Sequence, residues 1–113
     1  MGCIFCDIVQ KKRQASIIHE DDLTVAFEDI NPQAPVHVLV VPKKHVSTSL
    51  DLVDADNALI GHIFQVANSI AREKGIAERG FRLVMNCNDE SGQTVFHIHL
   101  HLLGGRFMQW PPG

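Results

Sequence analysis

The chain has 113 residues, of which 45% are hydrophobic and 20% charged. That is the composition of one ordinary globular domain, and it excludes intrinsic disorder, low-complexity character and a separate cofactor domain. Ten Lys and Arg against 13 Asp and Glu give a net charge of −3, which excludes the basic footprint of a nucleic-acid binder.

Ile4, Phe5, Ile8 and Val9 recur at loose helical spacing, which predicts a short helix over 3–10. Lys11 to Gln14 ends it in a solvated turn. Ile17-Ile18 and Leu23 to Phe27 read as two short strands joined by Glu20-Asp21-Asp22. Pro32 and Pro35 mark a loop. His37 to Val41 is β-branched and almost wholly apolar, so it is expected as a central strand, stopped by Pro42. From Asp54 to Lys74 the period changes. Leu59, Ile60, Ile63, Phe64, Val66, Ala67, Ile70 and Ala71 form a wide helical stripe. Asp51 and Asp54 are the candidate N-caps, and Gly75 is the stop. Phe81 to Asn86 is the next strand, 88–92 a polar turn, and Val95 to Leu103 the last strand, ended by Gly104-Gly105. Strands come in runs, not in alternation with helices. This predicts an α+β fold: a five-stranded antiparallel sheet with one long and one short helix, in a single domain over 1–113 with a tail at 104–113.

No stretch approaches the ~18 apolar residues of a membrane span, and no signal-peptide pattern opens the chain. The expectation is a cytoplasmic protein with no membrane or nucleic-acid partner. Cys3, Cys6 and Cys87 are too few for a disulfide framework.

The unusual count is seven histidines, against no tyrosine and one tryptophan. Three fall in His97-Ile98-His99-Leu100-His101. On a strand, alternate side chains share a face, so the three imidazoles stand about 7 Å apart on one side. Ile98, Leu100 and Leu102 face the other, toward the long helix. A lone strand histidine is most often a half-buried, satisfied polar residue. Three on one face each need their own partners and none helps packing. The spacing is too wide for all three to meet one zinc with ~2 Å bonds. A neutral imidazole instead offers a free nitrogen as nucleophile or base near neutral pH. Ser91-Gly92-Gln93-Thr94 supplies donors for an anion beside it, and Asn86 on the neighbouring strand another.

Gln93-Thr94-Val95-Phe96-His97-Ile98-His99-Leu100-His101-Leu102-Leu103 resembles the signature of the histidine triad (HIT) family, His-x-His-x-His with apolar residues after it. Ile4-Phe5-Cys6, Asp29 to Pro35, Val41-Pro42-Lys43-Lys44-His45 and the ending Leu103 to Gly113 extend the resemblance over nearly the whole chain. The ending is similar to that of the Hint branch, the purine nucleoside phosphoramidases. The resemblance implies a hydrolase that cleaves the P–N bond of purine nucleoside 5′-phosphoramidates or acyl-nucleotides through a nucleotidyl-histidine. It implies His99 as nucleophile, His101 on the phosphate and leaving group, and His37 and His97 in support. Asn86, Gly92, Gln93 and Thr94 match the phosphate site, and Asp29 the carboxylate that grips the ribose. Phe5, Ile8, Phe27 and Ile30 match the base pocket. No catalytic cofactor is implied. Thr94 stands where serine is common, and Arg13-Gln14 where Ile-Pro is frequent. Glu28 sits at a variable position.

Cys3-x-x-Cys6 alone is weak evidence, and a pair of small inert thiols is an even alternative. A thioredoxin-like βαβ context for redox chemistry is absent. Similar bacterial HIT proteins hold a structural zinc with this CxxC, which implies Cys3, Cys6, His45 and His97 as its ligands here, a sound Cys2His2 set. Cys87 reads as an ordinary buried thiol, and His19 and His62 as surface residues. Hint-type proteins are homodimers with one continuous sheet. The resemblance implies the same here, with Trp110 reaching the partner's site. Other readings remain at this point: a dinucleoside polyphosphate hydrolase, a nucleotide-binding scaffold, or a metal-binding regulator.

Overall fold

The computed structural model describes residues 2–113. Five strands, β1 (Ile17–Glu20), β2 (Thr24–Glu28), β3 (Val36–Pro42), β4 (Phe81–Val84) and β5 (Leu100–Gly104), form one sheet in the order β1-β2-β3-β5-β4. Every neighbouring pair is antiparallel. The long helix (α2, Asn57–Glu73) connects β3 to β4, and a short one (α1, Ile4–Val9) precedes β1. The expected α+β architecture is the one observed.

The pleat of β2 and β3 sorts their side chains between two cores. Ala26, Val38 and Val40 join Leu100 and Leu102 against Leu59, Ile63, Val66 and Ile70 of α2. Val25, Phe27, Leu39 and Val41 face the other way and pack on Phe5 and Ile8 of α1. The sheet is thus covered on both faces. The face under the small helix is left partly open, with His99 and His101 lining the opening.

Two expectations about α2 need adjustment. Neither Asp51 nor Asp54 caps it. Asp51 closes a reciprocal cap with Thr48 on a separate 3-10 turn, Ser49–Asp51. Asp54 opens another, Asp54–Asp56. Asp56 is the residue at the helix start, buried and bonded to Lys44 Nζ at 2.6 Å, and the lysine beside it lowers its pKa. Acidic residues recur over this stretch, so sequence could not choose among them. Gly75 does end the helix, at φ 75°, with its N–H on the Arg72 carbonyl and that of Ile76 on Ala71.

The last strand is shorter than its sequence suggests. β5 begins at Leu100, and residues 95–99 belong to no strand. β3 explains this. Its pairing with β5 runs from Val36↔Gly104 to Val40↔Leu100, where it ends. Beyond that point Ile98 N–H goes to the Val46 carbonyl, 2.7 Å away, in the chain after β3.

Candidate active site

The irregular segment still delivers its imidazoles to one side. His97 and His99 both meet the Phe5 ring edge-on, with centroids 5.9 and 5.0 Å away, and His99 and His101 are 4.9 Å apart. His101 stands opposite Leu39 on β3, and His37 lies two residues along that strand. The predicted grouping of His37, His97, His99 and His101 is therefore present. His97 is fully buried, though, and its ring turns away from the cavity that His99 and His101 line.

Hydrogen bonds fix which nitrogen of each neutral ring carries the proton. Gln33 N–H donates to His37 Nδ1 at 3.0 Å, so the proton of His37 sits on Nε2. That N–H faces His101 Nδ1 at 2.9 Å, with Asp29 Oδ2 3.4 Å away. His101 thus accepts at Nδ1 and keeps a proton on Nε2. His99 is arranged the opposite way. Its Nδ1–H donates to the His97 carbonyl at 2.8 Å, which leaves Nε2 with a free lone pair. One ring offers an electron pair and the next a proton. Burial lowers the pKa of His37 and His99 and pushes that of His101 down to about 4, with His99 and His37 adding to the last shift. All three rings are neutral at physiological pH.

The cavity holds about 370 Å³. Phe5, Ile8, Phe27, Leu39 and Val95 give it apolar walls. Asp29, His99, His101 and Thr94 line one side, and Arg13, Gln14 and Glu28 the rim. Ile30 belongs to the mouth and is 96% exposed. Asp29 accepts Asn31 N–H on Oδ1, which orients the carboxylate.

Three expected contributors are not among the residues lining this cavity. The Gln93 amide is used on main-chain groups: Oε1 takes Asn88 N–H, and Nε2 donates to the Val95 carbonyl and, in the chain after β3, to that of Ser47. Gln93 shapes the loop that presents Thr94, with Gly92 at φ 90° allowing the turn. Asn86, beyond the end of β4, is not among the residues lining the cavity. Trp110 is 82% exposed and also absent from that lining, while Arg82 and Arg106 tie the tail and its approach to the body.

A second cluster adjoins the first. Cys3, Cys6, His45 and His97 bring one ligand atom each within 4.8 Å of one another. The His97 Nδ1 atom is 3.4 Å from Cys3 Sγ, 3.5 Å from Cys6 Sγ and 3.2 Å from His45 Nδ1. Tetrahedral zinc, with bonds of about 2.3 Å to sulfur and 2.0 Å to nitrogen, separates its ligands by roughly 3.3–3.8 Å. The donors fit. His97 Nε2–H donates to the Pro42 carbonyl at 2.8 Å, which turns the lone pair of Nδ1 into the cluster, as metal-bound histidines require. Burial, with Cys3 beside it, pushes the Cys6 thiol up to about 11.

Sequence reasoning missed one polar group. His19 and His62 are not isolated surface residues: each donates Nε2–H to Asp21 Oδ2 at 2.7 Å, joining α2 to the β1–β2 turn. Only the closeness of His19 to Asp21 was visible in advance. Cys87 is half-buried, not fully buried, and the Ser49 hydroxyl lowers its pKa.

The HIT domain family matches residues 10–108. The chain belongs to the HIT family. A HIT-like protein of Synechocystis sp. is 51% identical over 110 residues, 97% of this chain and 96% of that protein. The purine nucleoside phosphoramidase of Escherichia coli is 46% identical over 103 residues, covering 91% of this chain and 87% of the relative. Among solved structures, a HIT family hydrolase from Legionella pneumophila superposes with a TM-score of 0.98 at 50% identity, covering 99% of this chain and all of that one. With such likeness along its length, this HIT protein is a hydrolase of the family. Among its described residues no helix is long and apolar enough to cross a membrane.

Proposed function

We propose that this HIT protein hydrolyses purine nucleoside 5′-phosphoramidates through a nucleotidyl intermediate on His99. The observation that carries the reading is the 2.8 Å bond from His99 Nδ1–H to the His97 carbonyl, which commits one nitrogen and frees the other. Nε2 of His99 attacks the α-phosphorus, and the P–N bond breaks. His101 Nε2–H lies on the same cavity wall and gives the departing amine its proton. Water then attacks phosphorus and returns a proton to His101 Nε2, and cleavage of the P–Nε2 bond restores His99 as the neutral Nδ1–H ring and releases the nucleotide. Thr94 forms the phosphate side, presented by the loop that Gly92 and Gln93 shape. Asp29 accepts the ribose hydroxyls. The base lies between Phe5, Ile8, Phe27 and Ile30, a slot that selects a flat ring more than a particular purine.

Zinc is the ion we assign to Cys3, Cys6, His45 and His97. Bound there, it supplies a cross-link between α1 and the chain before β5, with thiols that coordinate as thiolates. A reducing, cytoplasmic setting suits the three free cysteines. The protein works as a homodimer on this reading. β4 is an unpaired sheet edge with half-buried side chains, and Phe64 of α2 and Trp110 of the tail are both exposed. The partner's Trp110 is the residue we place near the leaving group.

The test sets adenosine 5′-phosphoramidate and a lysyl-AMP phosphoramidate beside a diadenosine polyphosphate. The reading predicts kcat/KM at least tenfold higher for the P–N substrates. Faster cleavage of the polyphosphate would assign the protein to that hydrolase class instead. A His99→Ala variant that kept its cellular role without turnover would favour a scaffold.

A further inference from the structure

His97 faces two sites at once. Its ring belongs to the thiol cluster, through contacts of 3.2–3.5 Å to Cys3, Cys6 and His45. Its carbonyl, on the same residue, accepts the Nδ1–H of His99. The sheet ladder does not extend to this residue, since the β3–β5 pairing stops at Val40↔Leu100. The Ile98 N–H bond to Val46 and the His97 side chain, pinned by Pro42 on one nitrogen and facing the cluster with the other, hold the His97 carbonyl in place.

A second arm leads from the same cluster to the same ring. Cys3 caps α1 and Cys6 lies within it, and Phe5 stands between them in sequence. The Phe5 ring packs edge-on against Phe27 and against His99, with centroids 5.4 and 5.0 Å away. A helix of six residues has little stability of its own. Its seat depends on the few contacts it makes, and the two cysteines are among them. Two routes therefore lead from the cluster to His99, through the His97 carbonyl to Nδ1 and through Phe5 to the ring.

We propose that the Cys3–Cys6–His45–His97 cluster is a positioning device for the nucleophile, so that filling it with a metal ion sets the turnover of the neighbouring site as well as the stability of the fold. The proposal rests on His99 being the nucleophile. His97 and Phe5 are its positioning residues. With the cluster filled, His99 is held as the Nδ1–H tautomer and Nε2 stays aimed at the phosphorus position. With it emptied or broken, the His97 carbonyl and α1 both gain freedom. His99 then samples the other tautomer, in which Nε2 carries the proton and cannot attack. Losing an outer-shell contact of a metal ligand costs about 10–100-fold in affinity or activity, and the lower end of that range is the expected effect on His99, which is not itself a ligand.

The full-length protein is compared in three states: loaded with zinc, stripped by a chelator, and reloaded. Cys6→Ser provides a fourth. All are measured where circular dichroism shows them fully folded; should Cys6→Ser fail to fold, the three wild-type states carry the test. Two readouts are taken, kinetics with adenosine 5′-phosphoramidate and the ring ¹⁵N–¹H correlation spectrum of His99. The expected result is a single Nδ1–H tautomer in the loaded protein and a mixture in the stripped one. The kcat should fall about tenfold or more on stripping, KM should rise as Phe5 shifts, and zinc should restore both. An unchanged His99 spectrum and unchanged kcat in folded, stripped protein, with only a lower Tm, would overturn the proposal and leave the cluster a purely structural clasp. Failure to take up zinc, with spectra identical before and after chelator, overturns it as well. If the loaded protein shows no turnover, the phosphoramidase reading fails, and the tautomer spectra alone decide the coupling.

Discussion

His99 and His101 are the same residue type, two positions apart, yet their backbone surroundings give them opposite protons to offer. The carbonyl of His97 takes one proton of His99, and a chain of donors from Gln33 through His37 reaches His101. The His-x-His-x-His spacing made the grouping of rings legible. The tautomers were not legible, because they depend on Gln33 N–H and the carbonyls of His97 and Pro42, and main-chain groups leave no mark in a sequence. Burial keeps these rings neutral, and this has a thermodynamic consequence. His101 titrates at about 4 in the folded protein, and His37 is lowered by burial against the opposing pull of Asp29. In the unfolded chain each imidazole takes up its proton near 6.5. Between about 6.5 and 4 the unfolded state therefore binds more protons, and stability falls as pH falls through that window. In chelator-treated protein, the urea midpoint should be lower at about pH 5 than at about pH 7.5. An equal midpoint would show that these rings are not buried neutral.

At the scale of elements, patterning did well wherever one face of an element meets a core. The α2 stripe, the alternation in β2 and β3, and Leu100 and Leu102 all landed on the predicted sides. It did less well where a strand ends by losing its neighbour. Residues 95–99 carry the same alternation as β5, but no strand partner lies beside them. The Gln93 amide, expected at the phosphate, satisfies three main-chain groups, two in its own loop and Ser47 in the chain after β3. A glutamine that binds an anion and one that braces a turn look alike in sequence. Leu102 tests the α2 interface directly. It is fully buried, paired to Val38 on β3 and to Leu83 on β4, and sits in the core that holds Ile63 and Val66. Leu102→Ala should cost about 2–5 kcal/mol, measured by urea unfolding, with the loss concentrated in stability and KM little changed. A cost below about 1 kcal/mol would mean that β5 and α2 do not form one core.

The molecule as a whole is a sheet with a large helix on one face and a small one on the other, and its chemistry gathers under the small one. A thick layer over that face would bury the imidazoles with no way in for a ligand. A six-residue helix leaves a mouth between α1 and Asp29. The net charge of −3 suits the proposed function, in which placed donors and an apolar slot, not a basic surface, would hold one nucleotide. Exposed Trp110 and Phe107, at 82% and 94%, and the bare β4 edge are large liabilities for a monomer of 12.6 kDa. Sedimentation should give twice that mass, and a monomer at micromolar concentration would remove Trp110 from the account of the site.

The central claim is that His99 Nε2 forms a bond to phosphorus. The most direct measurement is rapid acid-free quenching of the protein with adenosine 5′-phosphoramidate, followed by mass spectrometry of the intact chain and its peptides. The account predicts an adenylyl group on His99 that decays with turnover and is absent in His99→Ala, whose kcat/KM falls by about 10³-fold or more. An adduct on any other residue, or full turnover by His99→Ala, would contradict it.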